Sequence, residues 1–261
     1  MSDKFSLYLA ALPDDTRRAL ATGIAPAHMA YRLSADLTLL RGHIGSDSRG
    51  GLMVLSYTPS ELLDGSVAAL CKELTAECRI RGYEGILLDF EGPARHTLAR
   101  LASDLDTVCA RDGLSLIVGE HYMEATQHAA VLLSSGLVSG SLRRKLEEYT
   151  RRCGAPRVAL EIERLSQNIA LPAPQGRGSA MTRTELSELL FDKRPAVFFS
   201  HELCAHYFTY KDGGITHFVL YDDSQSVIRK LRLAHMLGLK CAVMLYSEVS
   251  DMLNELREFS P

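Results

Sequence analysis

The segment Tyr83-Glu-Gly-Ile-Leu-Leu-Asp-Phe-Glu91 sets two carboxylates two residues apart at the end of an apolar run. In a β-strand, period-2 alternation turns Leu87, Asp89 and Glu91 to one side and leaves the two acids roughly 6–7 Å apart along the chain. Such a pair can divide general acid and charge-stabilising work, provided the surroundings push the two acidities apart. The same acids could instead cap the next helix or face solvent, and spacing alone leaves both readings open. Gly92-Pro93 stops the run, so the pair sits at the C-terminal end of its strand, where barrel enzymes keep catalytic groups.

The elements that position this pair follow a repeating pattern. An amphipathic helix, a Gly and a short Leu-rich or β-branched run recur along the chain, the mark of parallel βαβ units. One helix runs from about Ser60 with Val67, Leu70, Cys71, Leu74 and Cys78 on one face, and stops near Gly82. A second stacks Leu98, Leu101, Leu105 and Val108 and ends at Gly113. A third carries Leu142, Leu146 and Tyr149 before Gly154, and a fourth begins after Ser224 and ends at Gly238. The runs at 5–10, 28–33, 52–57, 85–89, 114–118, 129–133, 157–162 and 241–245 give eight strands with buried character on both faces. The chain therefore predicts a single (β/α)8 TIM barrel domain over residues 1–261, since eight βα units need about 250 residues. Residues 165–221 break the rhythm and predict an α+β insertion between strands 7 and 8. Thr182 and Glu185 form a capping box there, and 205–210 and 215–221 form a hairpin about Lys211-Asp-Gly-Gly214.

The segment at 83–91 resembles the signature of glycoside hydrolase family 18, the chitinase-like barrels. Gly85, Asp89, Phe90 and Glu91 match, whereas Glu84 and Leu87 replace two acids of the pattern. Tyr207 to Ser226 and Gly238 to Tyr246 are similar to the branch that holds spore-germination and peptidoglycan-lytic glucosaminidases. The resemblance implies Glu91 as general acid and Asp89 as the group that orients the substrate's acetamide, with Glu91 raised in pKa and Asp89 ionised. It also implies an aromatic sugar floor on the last strand, where Tyr246 replaces the usual Trp in a chain without tryptophan. The Tyr-Asp that usually ends strand six is replaced by Leu132-Leu-Ser-Ser-Gly136. Two functions follow: a retaining hydrolase of β-1,4-linked N-acetylglucosamine glycans, or a weakened or inactive barrel that binds a glycan or other partner.

Tyr57, Glu120, Tyr122 and Glu161, at other strand ends, are candidate substrate-binding residues, with His121, Glu163 and Tyr8 beside them. A metal-dependent enzyme using Asp89, Glu91, Glu120 and His121 ranks last, and no metal or cofactor is expected. His201 and His206 are five apart, which on a helix turns them about 140° from each other, so they do not form the HExxH zinc pair. Gly176-Arg-Gly178 follows no strand and reads as a loop. A formal net charge of −3 without a dense basic run argues against nucleic acid, and no apolar stretch approaches the roughly 20 residues that span a bilayer. Six cysteines without a CxxC pair, and no export signal over Met1 to Leu12, suggest a cytoplasmic chain as given, with spore or cell-wall association the alternative. Nothing in the sequence sets an oligomeric state.

Overall fold

A computed structural model describes residues 5–45, 48–58, 64–173, 178–256 and 259. The chain runs through β1 (Ser6–Ala11), β2 (Ala25–Leu33), a short β3 (Leu39–Arg41), β4 (Leu52–Tyr57), β5 (Gly85–Phe90), β6 (Ser115–Gly119), β7 (Ala130–Ser134) and β8 (Val158–Ile162). A separate sheet follows, formed by β9 (Ser166–Leu171), β10 (Ser179–Ala180), β11 (Phe198–Ser200), β12 (Ala205–Asp212) and β13 (Ile215–Tyr221), before β14 (Cys241–Leu245) returns to the first sheet. The first sheet has the order β1-β14-β8-β7-β6-β5-β4-β2, and a further parallel pairing of β1 with β2 closes it into an eight-stranded barrel. All eight runs expected from the sequence are barrel strands, in the expected order.

Helices α1 (Thr16–Leu20), α2 (Val67–Arg81), α3 (His96–Asp112), α4 (Leu142–Cys153), α5 (Arg183–Lys193), α6 (Ser224–Met236), α7 (Tyr246–Val249) and α8 (Leu253–Leu256) complete the elements named here. The ring is uneven: β2 leads to β4 through β3, which pairs antiparallel with β2, and β6 leads to β7 through a 3-10 segment at Glu120–Ala125. Ser66 caps α2 by accepting from the Ala69 N–H, and Gly82 ends the helix at φ +67°. Ser60, expected to open that helix, lies outside the described residues. Asp223 caps α6, one residue before the expected start, in a capping box with Ser226.

Alternation along the strands sorts side chains into two layers. Tyr8, Ala27, Leu52, Val54, Leu87, Ile117, Ala159 and Val243 fill the barrel interior. Their neighbours, such as Leu55, Leu88, Leu160 and Met244, face outward into two clusters beneath the helices. Gly85 is needed where β5 meets β6, because a Cβ there would lie 2.2 Å from the Ser115 carbonyl oxygen.

The insertion joins the barrel through a buried clamp. The Leu165 and Asp222 backbones pair through the Asp222 N–H donating to the Leu165 carbonyl at 2.8 Å. The Asp222 carboxylate accepts from the Leu165 N–H at 2.8 Å, the Ser226 hydroxyl at 2.7 Å and the Lys230 ammonium at 2.6 Å, and neither charged side chain reaches solvent. Beyond it, β12 and β13 form the expected hairpin, turning at Gly213 and Gly214, both at positive φ as a type I′ turn requires. The Thr182–Glu185 capping box is present. Among the described residues no helix is long and apolar enough to cross a membrane.

Removing one partner of a buried ion pair strands the other charge. Lys230→Met is therefore expected to lower unfolding stability by about 3–5 kcal/mol in urea titration. Arg143→Ala, which breaks an exposed pair with Glu147, is expected to cost less than about 1 kcal/mol. Similar costs for the two variants would show that the clamp carries no special weight.

Candidate active site

Asp89, the penultimate residue of β5, lies on the same side as Leu87, which is packed in the barrel interior, while Leu88 faces the helices. Its side chain therefore points into the mouth. Pairing places Ser56 of β4 beside Asp89, and Arg32 of β2 beside Ser56, so these three form one tier at the C-terminal rim. A β-bulge between His28 and Tyr31 shifts the register of β2 and brings Arg32 into that tier. Glu91 follows one residue past the strand, exposed, with its N–H held by the Tyr57 carbonyl at 3.1 Å.

Across the barrel, Glu161 shares its side of β8 with Ala159 of the interior, while Leu160 and Ile162 face outward. It too enters the mouth. Solvent reaches both carboxyls, yet the barrel wall around them removes much of their hydration. Partial desolvation and then the charge of Glu91 hold the Asp89 carboxyl above the ordinary carboxylate value. Desolvation, then the charges of Asp89, Glu163 and Glu248, push the Glu161 carboxyl up to about 7. Asp89, expected to be ionised, thus sits where burial and the charge of Glu91 work against its charged form.

Glu163 is fixed beside Glu161 by the Ser134 hydroxyl, which donates to its carboxylate at 2.7 Å. Gly136 leaves room for that contact, because a Cβ there would lie 2.5 Å from the Glu163 carboxyl group. Glu248, in α7, accepts from the Arg164 N–H at 3.2 Å. Arg164 spends its guanidinium on Asp251 and the Glu248 carbonyl, and Arg183 donates to the Ser247 and Glu248 carbonyls. Arg164 and Arg183 are therefore committed. Glu248 had no signal in the sequence, because only closure of the barrel brings α7 next to β8.

Several residues expected in the mouth are elsewhere. Tyr246 packs against the outer cluster, whereas Leu245 packs against the barrel interior, so the last strand offers a Leu and not an aromatic floor. Tyr57 faces outward, 2% exposed, edge-on to Phe90 and beneath the Arg95 guanidinium. Tyr122 is equally buried against Phe90 on its other flank. Glu120 turns to α4, where it accepts from Tyr149 and pairs with Lys145 at 3.2 Å; burial raises its carboxyl, but these partners outweigh it and leave the pKa lowered. Tyr8 points toward the opposite end of the barrel, donating to Glu84 at 3.1 Å. No three His, Cys, Asp or Glu among the described residues are placed to hold a metal ion. His201 lies in a turn and His206 in β12, so no helix carries them.

Two cavities open at this end of the barrel. One, of about 350 Å³, lies by Met29, Arg32 and Ser56; the other, of about 330 Å³, lies by Arg164, Arg183 and Glu248 beneath the insertion. A larger one of about 470 Å³ lies outside, between α2 and α3, away from every strand end. Position, not size, selects the mouth.

The barrel and its site define a fold, and known structures share it. The chain aligns over 92% of its length with 93% of a chitinase from Chromobacterium violaceum, at a TM-score of 0.69 and 14% identity. The spore cortex-lytic enzyme SleL of Bacillus megaterium matches 94% of the chain over 71% of its own, at 0.66 and 15%. A GH18 chitinase from Cycas revoluta, solved in complex with (GlcNAc)3, matches 96% of the chain and 97% of its own, at 0.63 and 14%. No protein-family description and no curated protein sequence matches the chain. The fold is thus that of the chitinase-like barrels.

An acid raised in the folded state keeps a proton that the unfolded chain gives up. Its contribution to stability is complete below the ordinary Glu range, near 4.3, and declines as pH climbs to about 7. Glu161→Gln removes that decline. Its melting temperature relative to wild type is expected to be higher at pH 8 than at pH 4, by calorimetry, and an offset independent of pH would contradict the raised Glu161.

Proposed function

We propose that the chain is a glycoside hydrolase of β-1,4-linked N-acetylglucosamine glycans, of the chitin or peptidoglycan type, acting with retention through the substrate's own acetamide. The observation that carries this reading is the solvent-open pair Asp89 and Glu91 at the mouth of a barrel shared with chitinases and a cortex-lytic enzyme. Glu91 gives its proton to the glycosidic oxygen while the acetamide carbonyl oxygen bonds to C1 and the C1–O bond breaks. Asp89, as an anion, orients the acetamide N–H and offsets the oxazolinium charge. Water then attacks C1 as the bond from C1 to the acetamide oxygen breaks, restoring the acetamide, and the water's proton returns to Glu91, as in the substrate-assisted route of this family.

The second reading, a barrel that binds a glycan without cleaving it, is favoured by the last strand. Leu245 faces inward there, and Ser134 ends β7 where the family resemblance leads one to expect a tyrosine and an acid. A missing donor to developing charge can cost on the order of 100-fold or more in rate. The two readings separate in one assay.

Release of a fluorescent aglycone from β-linked N-acetylglucosamine oligomers is expected for the wild type and is expected to fall by about 100-fold or more in Glu91→Gln, with unchanged circular dichroism. Turnover that survives in the variant would remove Glu91 as the acid. No turnover in either, with retained binding by calorimetry, would favour the binding protein.

A further inference from the structure

The β-bulge in β2 decides where one cation goes. Were the pairing of His28 with Met53 continued residue by residue, Tyr31 would lie beside Ser56, and Arg32 would lie beside Tyr57 on the side of the helices. The extra residue changes this. Ala30 and Tyr31, adjacent in the chain, both pack outward, and Leu33 does so again, so Met29 and Arg32 take the inner side. The Ser56 hydroxyl donates to the Tyr31 carbonyl at 3.2 Å and holds the bulged backbone immediately before Arg32. Bulges beside active sites re-aim side chains, and this one turns a guanidinium into a mouth otherwise furnished with carboxyls.

Arg32 is exposed, and among the described residues it has no hydrogen-bonding or ion-pair partner. Asp89, in the same tier, does not take it up: burial and the charge of Glu91 are what act on that carboxyl. The guanidinium instead borders the cavity of about 350 Å³, whose walls include Leu12, Met29, Leu40 and Ser56. Arg41 borders it too, but is bound to Glu73 at 2.8 Å and to Glu77 at 3.2 Å. Arg32 therefore presents an uncommitted fork of N–H donors to an open cavity of ligand size.

We infer that Arg32 is a specificity-determining residue that receives a carboxylate carried on a substituent of the bound sugar, in the cavity beside the ends of β1, β2 and β4. A planar guanidinium meets a carboxylate through two parallel hydrogen bonds, which fixes orientation as well as charge. The rest of the rim sets the sign of the preference. Asp89, Glu91, Glu161 and Glu163 are exposed there, so an acidic substituent is repelled by them and accepted at this cavity, and the bound glycan is given a direction. A neutral glycan has no charge for Arg32 to meet. Of the two glycan types proposed above, this selects the acid-bearing peptidoglycan type over chitin. That role rests on the reading of this mouth as a glycan site, with or without cleavage.

The test is titration calorimetry on the full-length protein at neutral pH, with β-1,4-linked N-acetylglucosamine oligomers that bear a lactyl ether, either as the free carboxylate or as its carboxamide. The two probes share a shape and differ in charge. Wild type is expected to bind the carboxylate about 10-fold or more tighter, as a hydrogen bond to a charged group implies. Raised salt is expected to shrink that ratio, because the site is open to solvent. Arg32→Gln is expected to abolish the preference and Arg32→Lys to keep part of it, with circular dichroism unchanged in both. A wild type that binds the two probes alike, or binds neither, would overturn the role of Arg32, as would a preference that survives in Arg32→Gln. Preference for the carboxylate without turnover of any oligomer would sink the hydrolase reading alone, and turnover without the preference would sink this role alone.

Discussion

Closure of the sheet is the constraint on which the rest depends. Because β1 pairs with both β14 and β2, every strand residue must face either the interior or the helices. At the C-terminal ends that rule decides which chemistry is available. It sends Asp89 and Glu161 into the mouth and Tyr57 out toward the helices, and sets Leu245 inward with Tyr246 outward. The bulge in β2 shifts the register there and brings Arg32 level with Ser56 and Asp89.

Much of this was legible in the residues. The barrel strands are short apolar runs between glycines that end helices at positive φ, as Gly82 and Gly113 do. The direction of Asp89 followed from period-2 counting once Leu87 and Glu91 were placed on one side. Parity at the last strand was not legible: Cys241-Ala-Val-Met-Leu245 is apolar throughout, because both of its faces are buried, so alternation left no trace. The partners of Glu120 were hidden for a different reason. Its partners Lys145 and Tyr149 come from a helix about 25 residues on, and only the fold shows that α4 reaches back to it. That Glu161 and Asp89 open into one mouth belongs to the same class, since the two strands are separated by β6 and β7.

The insertion shows how an addition of this size is carried without cost to the barrel. Its first and last strands leave from Leu165 and Asp222, and one carboxylate ties both exits to α6. A loop anchored at its base can vary beyond it while the barrel keeps its register. The second anchor is polar: Arg183 at the start of α5 reaches the carbonyls of Ser247 and Glu248, just past β14. The insertion therefore borders the mouth without covering it, since Asp89, Glu91, Glu161 and Glu163 all stay exposed.

The mouth carries a concentration of like charge that the rest of the molecule does not need. Asp89 and Glu91 on one side face Glu161, Glu163 and Glu248 on the other, while Arg164 and Arg183 are held by Asp251 and by carbonyls. Such crowding works against the folded state wherever a carboxyl is forced to ionise above its ordinary range. An apolar replacement at any of these positions would relieve it, as Leu87 does one tier lower. A carboxyl pushed up to about 7 in a water-reachable site, as that of Glu161 is, suits proton transfer, which favours a chemical role for this rim over a purely structural one. With Leu245 in place of an aromatic floor, orientation of a bound ring would fall to these carboxyls and to Arg32. Recognition at this mouth would then rest on hydrogen bonds and charge more than on stacking.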